Sequence, residues 1–445
     1  MGSLVRRLGL FDTVLIVMGS IIGSGIFRTP SVVAQRVHTP SLILAVWIGG
    51  GILAILGSMI LAELAARRPN DVGAYAYLQE AFHPIVAFAF GWTSLVVSFT
   101  GGIAAAAVLF AAYVEPLSGL HTPAPVLAGA ALIFLTIVNC LGVREGSNVQ
   151  NAFMVLKIAA IGGLIGAGFF AHPTTSTAAS PVLHSYVDIA GALGVAMVPV
   201  LFAYNGAPAA TLIATETKSA SRTLPMGLCY GMTAVVVLYV LVNIISVRVL
   251  GSYALARTAT PASDVAHIAF GPIGGRLIAF AIVLSTLGFM SNRMLTAPRL
   301  YLAMAQNGLF FRIVGRIDSR TGAPVAAIVL QGILAIALVL SGTYERILNY
   351  VVSTTYVFIG LLALSLFVIR QHDRRSGRVQ DCAFRLPWHP ITTIIVLVAS
   401  WSVAIDTYIT YPQDGLIGLG ILLSSVPVYM LWHRTRSHRS RRCHN

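Results

Sequence analysis

Apolar runs of about 20 residues, the length that crosses a bilayer as a helix, alternate along the chain with short connections marked by Gly, Pro and charge. Twelve runs are legible, near 10–35, 41–65, 84–114, 124–142, 149–171, 187–214, 224–249, 276–304, 323–341, 346–370, 390–410 and 413–432. The pattern predicts an all-α integral membrane protein of twelve transmembrane helices, with neighbouring helices antiparallel because their connections are short. The longest non-apolar stretches fall near 250–275 and 371–389, so no soluble domain of any size interrupts the single transmembrane unit. Thr174 to Pro181 reads as a polar surface loop. The first run has no small-residue cleavage site and continues into further spans, which argues against a removed signal peptide.

Two runs break their own pattern. The first contains Gly19-Ser20-Ile21-Ile22-Gly23-Ser24-Gly25-Ile26-Phe27, and glycine costs a helix interior about 1 kcal/mol per residue relative to alanine. The sixth contains Phe202-Ala203-Tyr204-Asn205-Gly206-Ala207-Pro208, where Pro208 removes a ladder donor and biases the residue before it away from helical backbone. Irregular backbone at membrane depth is tolerated only where protein buries it or it lines a cavity. Spans 1 and 6 are separated by five spans, and an odd repeat length inverts the second copy. Paired interruptions at matching places point to a transporter's binding site. Spans 1–5 (10–171) and 6–10 (187–370) would form the two copies, with spans 11 and 12 (390–432) appended and a basic tail at 433–445.

A broken helix exposes the amides that open its second half and the carbonyls that close its first. Near Ser24 and Gly25 the dipole and free amides favour a carboxylate. The carbonyls near Ile21 and Phe202 are acceptors for an ammonium. Together they suit a zwitterion, of which an α-amino acid is the simplest.

Composition fits the membrane reading: 57% of the residues are hydrophobic and 10% charged, against about 25% charged in soluble domains, and the mean hydropathy is +0.83. The net charge of +14 does not signify nucleic acid. With an even number of spans and the N-terminus inside, 20 of the 29 Lys and Arg residues fall on the cytoplasmic side and only five outside, as the positive-inside rule requires. Multi-pass insertion in the plasma or inner membrane with both termini cytoplasmic follows, the basic tail facing lipid headgroups. The cysteines, Cys140 and Cys229 in spans and Cys382 and Cys443 inside, face no oxidising compartment and match no metal site.

Few charges lie within spans. Lys157, in the middle of span 5, costs about 2.5–3.5 kcal/mol on insertion scales and is a functional candidate by default. It can occupy a cation position beside the first break, or couple protons by losing its own. Glu63 and Asp12 are expected to reach cytoplasmic water, and Glu115, Asp188 and Asp406 to be solvated at the outer ends. Arg28 is expected either to snorkel or to guard an outer vestibule. Arg293 and Arg299 are expected in cytoplasmic ion pairs, for example with Glu216. Asn139, Asn243 and Asn292 read as inter-helix hydrogen-bonding groups. There is no phosphate-binding loop, no His-Glu-x-x-His and no esterase elbow, so neither an enzyme nor a cofactor is expected.

The same residues carry a family resemblance. The Gly19–Phe27 stretch resembles the span 1 signature of the amino acid–polyamine–organocation superfamily, especially its L-type amino acid transporter branch. Similar features follow: Ala62-Glu63-Leu64, Gly73-Ala74-Tyr75-Ala76-Tyr77, Val149-Gln150-Asn151 through Lys157, Phe202 to Gly206, Glu216, Arg222-Thr223-Leu224-Pro225, Ser291-Asn292 through Tyr301, and Pro427-Val428-Tyr429. The resemblance implies a leucine-transporter-type 5+5 inverted repeat with discontinuous helices 1 and 6, transporting amino acids, commonly by exchange. By analogy Ser24 and Gly25 would bind the substrate carboxylate, Ile21, Phe202 and Asn205 would offer carbonyls to its ammonium, Gly23 and Gly206 would complete the substrate-binding set, and the Phe202 ring would act as an outer gate. Lys157 would replace the sodium of sodium-driven relatives, with Ser285 as its partner. Ala207-Pro208 stands where the family often has Trp, so substrate identity does not carry over. Animal members join a heavy chain through a cysteine between spans 3 and 4; Pro116 to Ala124 has none, so no disulfide-linked heavy chain is expected there and a stand-alone, bacterial-type protein is.

The expected activity is sodium-independent exchange of L-amino acids by alternating access. The rivals are a proton-coupled amino acid or polyamine symporter on the same fold and, more remotely, a channel.

Overall fold

A computed structural model describes residues 8–69, 73–119, 121–141, 146–171, 186–318, 321–377 and 382–442. The loop at 174–181, Arg144 and Cys443 lie outside the described residues, as do the side chains of Asp188, Gln150, Asn151 and Glu216. The order is α1 (Leu10–Ile21), α2 (Gly25–Val37), α3 (Pro40–Arg67), α4 (Gly73–Ala81), α5 (Pro84–Thr93), α6 (Phe99–Ser118), α7 (Ala124–Cys140), α8 (Gly146–Phe170) and α9 (Tyr186–Ala203). There follow α10 (Ala207–Ala210), α11 (Ala220–Arg257), α12 (Pro261–Thr296), α13 (Pro298–Gln306), α14 (Val325–Ser341), α15 (Tyr344–Arg375), α16 (Ile391–Thr410) and α17 (Pro412–Arg442).

The chain is a multi-pass membrane protein. Among the described residues, eight spans are long and apolar enough to cross a bilayer, and α1 with α2 forms a ninth, bent by 42° at its break. Three shorter apolar helices, Ala124–Cys140, Met154–Phe170 and Val325–Ser341, stand at the places of the other three expected spans. Pattern fails between spans 7 and 8, where the polar stretch is itself helical. Gly251 (φ 71°) and Gly271 (φ 70°) sit at its two corners, in the left-handed region that glycine enters without steric cost.

Span 3 is continuous but irregular. A π-helical turn at Ser94–Ser98 joins α5 to α6, leaving the Ser94 and Ser98 side chains beside the molecule's centre. Such turns are uncommon and concentrate at functional sites; nothing in the apolar pattern announces this one.

The two interrupted spans mesh at the core. A Cβ on Gly25 would lie 2.6 Å from the Ala203 Cα. One on Gly206 would fall on the Ser20 carbonyl and 2.9 Å from the Ile21 Cα. Glycine is needed here for close approach of two backbones. Behind them, Tyr204 and Tyr239 stack at 5.2 Å, and Trp47 packs edge-on against both.

At the end where α1 begins and α17 finishes, the basic face, Glu63 is fully buried instead of reaching water. It accepts bonds from Arg67 and Arg370, each at 2.8 Å, and from the Leu386 amide at 2.8 Å. Asp373 joins Arg67 and Arg68, and Arg68 forks onto Glu80. A carboxylate in an apolar span end is stable there only when paired, and three elements supply the partners: α3, α15 and the segment before α16. Glu80 and Arg68 add α4. Asp406 also departs from expectation: its Oδ2 is buried without a hydrogen-bond partner.

Candidate functional site

The first break is a junction of free donors and occupied acceptors. α1 ends with Ile22 N–H on the Met18 carbonyl at 2.7 Å. At the start of α2, Phe27 and Arg28 N–H both turn back to Ser24 O, at 3.2 and 3.3 Å. Among the described residues, no hydrogen bond is made by the amides of Gly23, Ser24, Gly25 or Ile26. These are the orphan donors that open any helix, carrying its positive dipole end.

The carbonyls closing α1 are held by three side chains from three helices. Arg293 Nη2 of α12 donates to Ser20 O at 2.6 Å. The Tyr239 hydroxyl of α11 donates to Ile21 O at 3.3 Å. Lys157 Nζ of α8 donates to Ile22 O at 2.7 Å. A buried carbonyl with no donor costs about as much as a lost hydrogen bond, so these three side chains make the interruption stable. The second break is held mostly by its own backbone: Asn205 N–H bonds Phe202 O at 3.1 Å and Ala209 N–H bonds Gly206 O at 3.1 Å, while the Tyr356 hydroxyl of α15 donates to Leu201 O at 3.1 Å.

An open cavity with about 700 Å³ of atom-free space lies between the breaks. All seven residues expected to bind substrate line it: Ile21, Gly23, Ser24, Gly25, Phe202, Asn205 and Gly206. Ser94, Ser98 and Phe99 of span 3, Phe289 and Arg293 of α12, and Thr355 and Phe358 of α15 complete the wall. It runs toward the basic face, past Phe90, Pro208, Ala209 and Leu362. The opposite side is sealed. Phe202 packs edge-on against Tyr344 at 6.0 Å. Arg28 pairs with Glu345 at 3.2 Å. Arg28 and Ser31 both donate to the Thr258 carbonyl, at 3.0 and 2.7 Å. Arg28 therefore takes the vestibule side of its two expected roles.

Lys157 is 3% exposed and is joined to the broken helix, as the reading of a fixed cation beside the break requires. The expected pairing with Ser285 is not formed, because Ser285 Oγ is buried without a hydrogen-bond partner. Lys157 meets α12 through the Phe289 ring instead, 5.8 Å from its centroid.

Arg293 is the largest correction. It does not reach a cytoplasmic ion pair; it is 6% exposed, on the cavity wall, with its Cζ 5.4 Å from the rings of both Phe99 and Phe289. Its Nη1 has no hydrogen-bond partner, and no ion pair involves it among the described residues. Its position in the chain, one residue after Asn292 and well before the span ends, was the available signal: an arginine there cannot reach the headgroups from a helix that continues inward.

The chain matches a family model described as amino acid permease over residues 8–420. It is 32% identical over 438 residues to the b(0,+)-type amino acid transporter 1 of Mus musculus, covering 97% of this chain and 88% of that one. It is 27% identical over 433 residues to the serine/threonine exchanger SteT of Bacillus subtilis (strain 168), covering 96% and 97%. With the large neutral amino acids transporter small subunit 2 of Homo sapiens it shares 26% identity over 452 residues, covering 96% and 81%. With its broken spans, the seven residues around one cavity and a family match over nearly its whole length, the chain belongs to the amino acid permease family within the amino acid–polyamine–organocation superfamily.

Proposed function

We propose that this protein is a sodium-independent amino acid exchanger that works by alternating access around its two interrupted helices. The observation that carries the reading is the row of unbonded amides from Gly23 to Ile26 on the wall of a cavity walled on its other side by the second break. The substrate carboxylate sits on those amides, where hydrogen bonds to an ionised acceptor are the strong kind. Its ammonium faces the carbonyls of the breaks; the Ile21 carbonyl accepts from Tyr239 and the Phe202 carbonyl from the Asn205 amide, so each has one lone pair left for it beside the Asn205 carbonyl.

Lys157 supports sodium independence, since its ammonium already brings a positive charge to the break and donates to the Ile22 carbonyl. The two five-span copies supply the moving bodies, and the sealed Phe202–Tyr344 side makes the present conformation one that faces the basic, cytoplasmic side. Exchange is also the activity for which the Bacillus relative is named. No disulfide-linked heavy chain takes part.

Arg293 bears on the side-chain end. A cation without an acidic partner on the wall favours neutral or acidic side chains and opposes cationic ones, since like charges in a low-dielectric site repel strongly. Counterflow in proteoliposomes tests the whole reading. Uptake of labelled amino acid should collapse without amino acid inside. Uptake driven by a pH gradient alone identifies a proton symporter, and flux that does not saturate identifies a channel; either result sinks the exchanger.

A further inference from the structure

Between α13 and α14 the chain runs outside any span, from Asn307 to Asp318, on the same face as the end of α17. Leu309, Phe310 and Val314 point into the body, at 3–5% exposure. Phe310 stacks on Trp432 at 5.9 Å and 13°, and Phe311 meets the same indole edge-on at 4.7 Å. The segment is therefore clamped to the last apolar turn of α17, which places it at the level where a bilayer's hydrocarbon ends.

Its outward side has an unusual make-up for an extramembrane turn. Phe311, Ile313 and Ile317 are 51%, 61% and 54% exposed. Arg312 and Arg316, interleaved with them, are exposed and in no ion pair among the described residues. Water rewards the arginines and penalises the three apolar side chains; a protein surface would be expected to offer carboxylates to the former. A leaflet interface satisfies both at once, with acyl chain for the apolar groups and phosphate for the guanidiniums. Trp388, 80% exposed just before α16 begins, marks the same interfacial level, where tryptophan is enriched.

We propose that the Asn307–Asp318 segment is a docking face for anionic phospholipid in the leaflet on the basic side. Phe311, Ile313 and Ile317 sit among the acyl chains nearest the headgroups, and Arg312 and Arg316 hold the headgroup charge. The segment continues directly from α12 and α13, the run that carries Phe289 and Arg293 to the cavity.

The test is lipid retention, read by native mass spectrometry on protein extracted from bilayers of phosphatidylcholine with added phosphatidylglycerol. The wild type should retain phosphatidylglycerol in preference to phosphatidylcholine. The double variant Arg312→Gln, Arg316→Gln should bind phosphatidylglycerol about tenfold more weakly and hold phosphatidylcholine as before. The double variant Ile313→Ser, Ile317→Ser should lose retention of both lipids. All four side chains are exposed, so folding is not at stake. Equal phosphatidylglycerol retention in the arginine variant and the wild type overturns the proposal, and so does displacement of the lipid by millimolar inorganic phosphate. The readout does not involve transport, so it stands or falls separately from the exchanger reading.

Discussion

Lys157 and Arg293 are both buried cations on the carbonyls of one helix end, yet they predict different phenotypes. Replacing Lys157 with Ala leaves the Ile22 carbonyl without its donor, and a hydrogen bond to a charged group contributes about 1.5–3 kcal/mol. Exchange should fall by about 10- to 100-fold while the protein still inserts and purifies; unchanged counterflow at normal expression would remove Lys157 from the mechanism. Arg293→Gln keeps a donor for the Ser20 carbonyl and deletes the charge. Its expected signature is a change of preference, with lysine and arginine becoming better competitors for uptake of a neutral substrate. A variant with unaltered competition by cationic amino acids would show that the guanidinium does not face the side chain. Glycines divide in the same way. Gly25 faces the backbone of Ala203, so Gly25→Val should lower folded yield along with transport and is a poor probe of the carboxylate site. Gly102 lines the cavity, and a Cβ there would meet nothing closer than Phe289 at 4.0 Å. Gly102→Leu should reduce exchange with little change in melting temperature, and wild-type affinity in that variant would show that substrate does not occupy this part of the cavity.

At the scale of elements, apolar run length and misplaced glycine made the helices and both breaks legible before any coordinates. Broken-helix chemistry marks Ile21, Ser24, Gly25 and Phe202, the family resemblance adds Gly23, Asn205 and Gly206, and all seven line one cavity. Legibility stopped where a group's partner is remote in sequence. Glu63 looked solvated because its own helix ends nearby; its partners, Arg370 and the Leu386 amide, come from more than 300 residues away. The π-helical turn at Ser94–Ser98 leaves no trace in a periodicity already saturated with apolar residues. Glu63→Gln breaks a buried pair, which costs about 3–5 kcal/mol, because it strands Arg370 without its carboxylate and leaves Arg67 with Asp373 alone. A clear fall in the thermal unfolding midpoint is expected, and a midpoint equal to the wild type would mean that the network is dispensable for stability.

For the whole molecule, the Arg28–Glu345 pair stands on the sealed side of the cavity and the Glu63–Asp373 network on the basic side. The Arg28–Glu345 pair is partly exposed, with 20% and 35% of its side chains accessible, and exposed pairs contribute roughly 0–1 kcal/mol. That is enough to shift a two-state population by up to about fivefold. Glu345→Gln should therefore speed amide hydrogen exchange in α2 and at the start of α15 without loss of fold. No change in exchange there would place the seal in the Phe202–Tyr344 contact and the bonds of Arg28 and Ser31 to the Thr258 carbonyl.

The meshing of Gly25 on Ala203 and of Gly206 on Ser20 leaves no room for a side chain where the two interrupted helices touch. Variation in what the protein carries must then be written elsewhere, on Ser94, Ser98 and Thr355, which stand on uninterrupted spans around the same cavity. One half of the pocket is closed to change and the other is free to drift. A designer wishing to re-target this scaffold would start from those three positions and leave both glycines alone.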